Sequence, residues 1–232
     1  MMAQDTEIKF NNQKFGLMIS DEADRSVVSE IFKHHEYRIA DEAISKAKII
    51  VDVGAHRGYF AIYCRALNSQ AKIFCIEPEK NNLEVLRKHI KLNKLKKITV
   101  IAAALSDYSG EGELVVKADS HNHFLGDAPT STEITQKVST YTFSNFCAEN
   151  KISNIDLLKM DIEGGEYRVF SVFSPLDFVR VKNLVMEYHN FKDRNYKSIE
   201  SLLRENGFGV QVFPSKFDKT MGFLFAHNKR VK

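Results

Sequence analysis

The chain has no run of 18 consecutive apolar residues, and its first ten residues carry acids instead of an apolar stretch of secretory length. A helical membrane span needs about 20 such residues, so the sequence predicts a soluble, cytoplasmic protein without a leader. Cysteine is sparse. Cys64, Cys75 and Cys147 are odd in number, lack metal-like spacing, and two of them stand in apolar runs, which predicts reduced core residues. Neither sign of charge dominates: 33 Lys and Arg against 30 Asp and Glu leave a formal charge of +3, too even for a dedicated nucleic-acid binder. The one basic stretch, Arg87 to Lys97, interleaves six Lys or Arg with Ile90, Leu92 and Leu95. It reads as the solvated face of an amphipathic helix. Internal repeats and low-complexity segments are also missing.

What is present is an ordinary globular composition, 44% hydrophobic and 27% charged over 232 residues, enough for one domain with short additions. Residues 1–47 read as a cap on that domain: a hairpin in Glu7 to Ile19 around Asn11-Asn12-Gln13, a helix from Asp21 to about His34, and a shorter helix from Ile39 to Lys46. Residues 48–232 alternate strand and helix, the sign of parallel βαβ units. Strands are expected at Ile49–Val53, Lys72–Ile76, Ile98–Ala102, Ile155–Met160 and Val181–Met186, with helices at Tyr59–Leu67, Glu79–Asn93, Phe143–Glu149, after Gly165, and at Tyr196–Asn206. The last two strands, Val210–Phe213 and Gly222–Ala226, are too close together for a crossover helix and should pair antiparallel. Residues 109–138 interrupt the pattern with a strand at Glu113–Lys117 and a polar tract, and read as an insertion. The expected fold is α/β, a Rossmann-like seven-stranded, mostly parallel sheet with one antiparallel strand and helices on both faces.

Ligands of such sheets bind beyond the carboxyl ends of the strands. The first of these strands ends in Val51-Asp52-Val53-Gly54-Ala55-His56-Arg57-Gly58. Gly54 permits a tight turn and Gly58 lets a helix begin against the strand. The D-x-G-x-x-x-G spacing differs from the G-x-G-x-x-G of nicotinamide sites. A carboxylate at the mouth disfavours phosphate and suits an ammonium group, although an Asp beside a glycine turn is also a common capping arrangement. The second strand ends in Glu77-Pro78, an acid able to accept both ribose hydroxyls. Together these features favour a cofactor carrying both a nucleoside and an amino acid.

Val51 to Phe60, Glu77-Pro78, Ala103-Ala104-Leu105 with Asp107 and Gly110, and above all Leu157-Leu158-Lys159-Met160-Asp161-Ile162-Glu163-Gly164-Gly165-Glu166 resemble the FkbM family of S-adenosylmethionine-dependent methyltransferases. The likeness runs from about Tyr37 to Ala226, departing at Tyr141-Thr142-Phe143-Ser144, where the family often has Leu-Asp. It implies S-adenosyl-L-methionine as cofactor, held by Asp52, Gly54, Ala55, Gly58, Glu77, Pro78, Ala104, Leu105 and Asp161, with Tyr37 closing over its methionine end or simply packing. It also implies a small hydroxylated acceptor such as a sugar or natural product.

Methyl transfer from a sulfonium has a good leaving group, so the enzyme must chiefly align the acceptor and remove its proton. His189 titrates in the right range to be that base, with Glu187 and Asp161 beside it; alternatively it caps a strand end. Asp161, Glu187 and His189 could instead hold a divalent metal. Glu166 suits the start of a helix. His121 and His123 in Asp119 to Phe124, together with Glu163, are the expected acceptor contacts, the segment acting as a lid or as a polar loop. The competing functions are a non-catalytic nucleoside-binding module and an NAD-linked oxidoreductase. The Asn/Asp-Pro-Pro-aromatic segment of many base-modifying methyltransferases is missing from the fourth strand of the sheet, and no nucleic-acid or membrane partner is expected.

Overall fold

The computed structural model describes residues 4–116, 124–125, 134–216 and 218–231. The chain opens with an antiparallel hairpin of β1 (Gln4–Phe10) and β2 (Gln13–Ile19), turned by Asn11 and Asn12, both at positive φ, a conformation Asn tolerates better than most residues. Helix α1 (Glu22–Val28) starts where the Asp21 side chain accepts from the Asp24 amide. The expected single helix to His34 instead widens at Ser29–Lys33 into a π-helical turn. A 3₁₀ turn at Glu36–Ala40 then leads into α2 (Asp41–Lys46).

The main body runs β3 (Ile49–Val53), α3 (Tyr59–Leu67), β4 (Lys72–Ile76), α4 (Lys80–Leu92) and β5 (Ile98–Ile101), as the hydrophobic pattern requires. After β6 (Ala104–Leu105), β7 (Gly110–Val116), β8 (Phe124–Leu125) and β9 (Ile134–Tyr141) come α5 (Phe143–Glu149), β10 (Leu157–Met160), α6 (Glu166–Ser171), α7 (Pro175–Arg180), β11 (Asn183–His189), α8 (Tyr196–Glu205), β12 (Phe208–Pro214) and β13 (Met221–Asn228). Seven strands form the main sheet in the order β12-β13-β11-β10-β3-β4-β5. Only β13 runs against its neighbours, pairing antiparallel with both β11 and β12.

Alternation along the strands divides the core in two. Val51, Val53, Phe74, Ile76, Leu158 and Met160 point to the face covered by α5 to α8. Ile50, Ile73, Cys75 and Leu157 point to the face shared with α3, α4 and the N-terminal segment, where Leu17, Ile31, Tyr37 and Ile44 are buried. All three cysteines are buried and unbridged.

Residues 4–47 are stitched to the main body by polar contacts as well. Met18 N donates to His89 Nε2 at 2.8 Å, Tyr59 OH donates to Met18 O at 2.9 Å, and the Asn93 side chain brackets Gly16 N and O. Arg57, inside the glycine-rich turn, is buried against the fully buried carboxylate of Asp24, with Asp21 3.5 Å away.

Two further features depart from the sequence pattern. The insertion, with β6 just before it, builds a second sheet, β6-β9-β7-β8, in place of a single strand. Helix α7 stands where no element was expected, set by Ser174, whose hydroxyl and amide exchange hydrogen bonds with Asp177 across a capping box. Helix α5 starts as expected, where the Thr142 hydroxyl accepts from the Asn145 amide. Among the described residues, no helix is long and apolar enough to cross a membrane.

Candidate active site

The carboxyl ends of β3, β4, β10 and β11 open onto a cavity of about 730 Å³, within the size range of small-molecule sites. Its glycine turn is built on close approach. Gly54 has φ +73°, and a Cβ there would lie 1.8 Å from the Asp161 carbonyl oxygen. Gly54 N and Ala55 N both donate to Ile76 O at 3.0 Å, drawing the turn across to β4. Gly58, at φ +84°, starts α3 where a Cβ would meet Leu86.

Glu77 ends β4 and is almost fully buried, yet it lines the cavity. One carboxylate oxygen accepts from His56 N at 2.8 Å and the other from Glu79 N at 2.9 Å. Burial pushes its pKa up to about 7, against the opposing pull of those two amides. Pro78, Ala104, Leu105 and Tyr37 also line the cavity. Tyr37 is fixed between Phe60 and Phe223, with ring centroids 4.7 and 5.5 Å away.

Asp52 stands elsewhere than the sequence suggested. Its carboxylate is fully buried beneath the turn, 3.3 Å from Lys159 Nζ, and does not line the cavity. The acids that do reach the cavity from this side are Asp161 and Glu163, joined by Glu36 from the N-terminal segment and Glu187 from β11. Lys159 Nζ also donates to Gly54 O at 2.8 Å and lies 3.5 Å from Asp161 Oδ2.

At the end of β11, His189 Nε2 lies 3.4 Å from Glu163 Oε2 and 3.8 Å from Glu187 Oε1. Burial lowers the imidazole pKa. Burial and the Asp161 charge push Glu163 up to about 8, and burial followed by Asp161 raises Glu187 well above the carboxylate range. Burial and neighbouring charge of this kind in a cleft make these groups candidates for a reaction centre. Glu166 does not line the cavity; fully buried, it accepts from Ile162 N at 3.0 Å and fastens the turn into α6. Among the described residues, no group of three or more His, Cys, Asp or Glu has metal-holding geometry. His121 and His123 lie outside the described residues.

Sequence reasoning missed Glu36, Lys159 and Phe191 as cavity-side or cavity-supporting groups. Lys159 had a signal: a lone charge in a strand otherwise apolar on both faces must find a buried partner. Glu36 and Phe191 had none, since only the tertiary fold brings the 3₁₀ turn and the loop after β11 to the cavity.

Residues 52–210 match the family described as the Methyltransferase FkbM domain. The chain is 25% identical over 215 residues to "Methyltransferase sdnD" of Sordaria araneosa, covering 79% of this chain and 82% of that protein. It is 24% identical over 210 residues to "31-O-demethyl-FK506 methyltransferase FkbM" of Streptomyces tacrolimicus, covering 78% and 80%. In fold it is similar to Aeropyrum pernix fibrillarin, a structure with natively bound S-adenosyl-L-methionine, at a TM-score of 0.53 and 11% identity over 96% of this chain and 82% of that one. A putative methyltransferase of Streptococcus mutans, SMU.1697c, aligns at a TM-score of 0.51 and 9% identity over 83% and 97%.

Proposed function

The chain belongs to the FkbM methyltransferase family, and we propose that it transfers a methyl group from S-adenosylmethionine to a hydroxyl oxygen of a small molecule. The residues present fit that cofactor. Glu77, oriented by two backbone amides and facing the cavity, supplies a bidentate acceptor for ribose hydroxyls. Gly54, with no Cβ, lets the Asp161 backbone pack against the turn and so sets Asp161 at the cavity edge. Glu36 and Asp161 face the cavity where an ammonium and a sulfonium would sit, and a positive ligand there favours the ionised form of Glu36. When bound, the cofactor supplies a methyl group already activated by its positive sulfur.

The observation that carries the oxygen acceptor is His189, half-buried at the cavity wall with Glu163 3.4 Å from its Nε2. An alcohol has to lose a proton as it is methylated, and a neutral imidazole facing the cavity takes or relays that proton at its ring nitrogen. Glu163 and Glu187, 3.4 and 3.8 Å from Nε2, position the ring. Asp161 faces the cavity beside them and orients the ligand. The Streptomyces relative is named for an O-demethyl substrate, which supports an oxygen acceptor; a sugar or natural-product alcohol is the class proposed.

Incubating the purified protein with S-adenosylmethionine and a panel of hydroxylated small molecules, with mass detection of one added CH₂ unit, tests the reading. Methyl placed on oxygen supports it. Methyl placed only on nitrogen, or no binding of the cofactor, overturns it.

A further inference from the structure

Lys159 is a fully charged side chain in the middle of the sheet, only 3% exposed. A lone ammonium there would cost several kcal/mol, so its surroundings must repay the burial. They do so in three directions at once. Nζ lies 3.3 Å from Asp52 Oδ1 at the end of β3, 3.5 Å from Asp161 Oδ2 beyond the end of β10, and 2.8 Å from the carbonyl oxygen of Gly54 in the turn. Burial alone would favour the neutral amine, but Asp52 and Asp161 outweigh it and hold the ammonium well above the usual lysine range.

The two carboxylates differ in what they can do for a ligand. Asp52 is fully buried, while Asp161 keeps 26% of its side-chain surface and lines the cavity. Asp161 shares the cavity wall with Glu36 from the N-terminal segment, Glu163 from the turn and Glu187 from β11. Lys159 meets it from beneath, and Asp52 anchors the lysine from below.

Resting on the S-adenosylmethionine reading above, we infer that Lys159 is a positioning residue for the amino-acid end of the cofactor: from beneath the cavity it holds the Asp161 side chain in place to receive the ligand's ammonium, and it fixes the Gly54 carbonyl so that the turn keeps its shape. The division of labour differs from a turn in which the first acid, Asp52, meets the ligand itself.

Calorimetric titration with S-adenosylhomocysteine, which carries the same amino-acid end, tests this beside 5′-methylthioadenosine, which lacks that end. The variants are Lys159→Met and, because that change strands the Asp52 carboxylate, Lys159→Met/Asp52→Asn, in which the buried pair is neutralised together; thermal melts check that each is folded. Both variants are expected to bind S-adenosylhomocysteine at least tenfold more weakly than the wild type while keeping 5′-methylthioadenosine within about twofold. A folded double variant that binds S-adenosylhomocysteine within twofold of wild type, or that loses both ligands equally, overturns the inference while leaving the cofactor reading intact. Failure of the wild type itself to bind S-adenosylhomocysteine overturns the cofactor reading and the inference with it.

Discussion

His189 Nε2 stands 3.4 Å from Glu163 Oε2, tying the end of β11 to the turn that follows β10. Burial moves the two groups in opposite directions, the imidazole down and the carboxyl up to about 8. At neutral pH the imidazole is therefore an unprotonated base. His189→Ala should lower kcat by about 10²- to 10⁴-fold, the usual worth of a general base, and leave S-adenosylhomocysteine affinity near wild type. The acid limb of kcat/KM should fall below the ordinary imidazole value of about 6.5. Full activity in the variant would reduce His189 to a strand-end cap.

Glu77→Ala should weaken cofactor binding by roughly 2 to 4 kcal/mol, the scale of two charge-assisted hydrogen bonds. The structure adds a second effect, because the His56 and Glu79 amides lose their acceptors. Thermal stability should fall alongside affinity, by about 1 to 3 kcal/mol for groups left unsatisfied. Calorimetry and melting curves separate the two; unchanged affinity would remove Glu77 from the ribose.

Cofactor binding should release protons. Glu36 and Glu77 are pushed up to about 7 and Glu163 to about 8, in each case chiefly by burial. A positive ligand favours their ionised forms, so their pKa values fall on binding and affinity rises with pH through that window. Titrations in buffers of different ionisation enthalpy should show more protons released with S-adenosylmethionine than with S-adenosylhomocysteine, which lacks the sulfonium charge. Equal release would mean that these acids do not face the sulfur.

His89 couples β2 to the glycine turn in one tautomer: Nε2 accepts from Met18 N, so Nδ1 carries the hydrogen and donates to Arg57 O at 2.7 Å. Burial lowers its pKa. For a histidine depressed in the folded state, the stabilisation is complete above the unfolded value of about 6.5 and is lost as pH falls below it. Glu77 and Glu166, raised to about 7 by burial, act the other way, their contribution being lost as pH rises through that value. The stability advantage of wild type over His89→Gln isolates the histidine. It should shrink between about pH 7.5 and pH 5.5; an advantage independent of pH would contradict the neutral tautomer.

The strands of the parallel sheet were legible because their runs are largely apolar on both faces, and Ile49–Val53 and Lys72–Ile76, with the helix Tyr59–Leu67 between them, fall where the pattern put them. β9 was not, since its sequence Ile-Thr-Gln-Lys-Val-Ser-Thr-Tyr buries only Val138 and Thr140 and is held as a strand by β7. Helix α7 carried its signal in Ser174, Pro175 and Asp177, but its six residues are too few to show a period. In the site, Glu77 and Asp161 could be placed because strand ends face one edge. Whether an acid points into the cavity or under it depends on partners from other strands, which is how Lys159 takes Asp52 inward.

The position of β13 has a consequence for the order of synthesis. Residues 221–228 leave the ribosome after every other strand of the main sheet, yet they lie between β11 and β12. Until they arrive, β12 has no strand to join and the outer edge of β11 is open, the kind of edge that invites pairing with other chains. The half of the sheet bearing Gly54 and Glu77 can therefore assemble on a nascent chain while the half bearing His189 waits. The growing polypeptide has a shaped cofactor half before it has a finished place for chemistry.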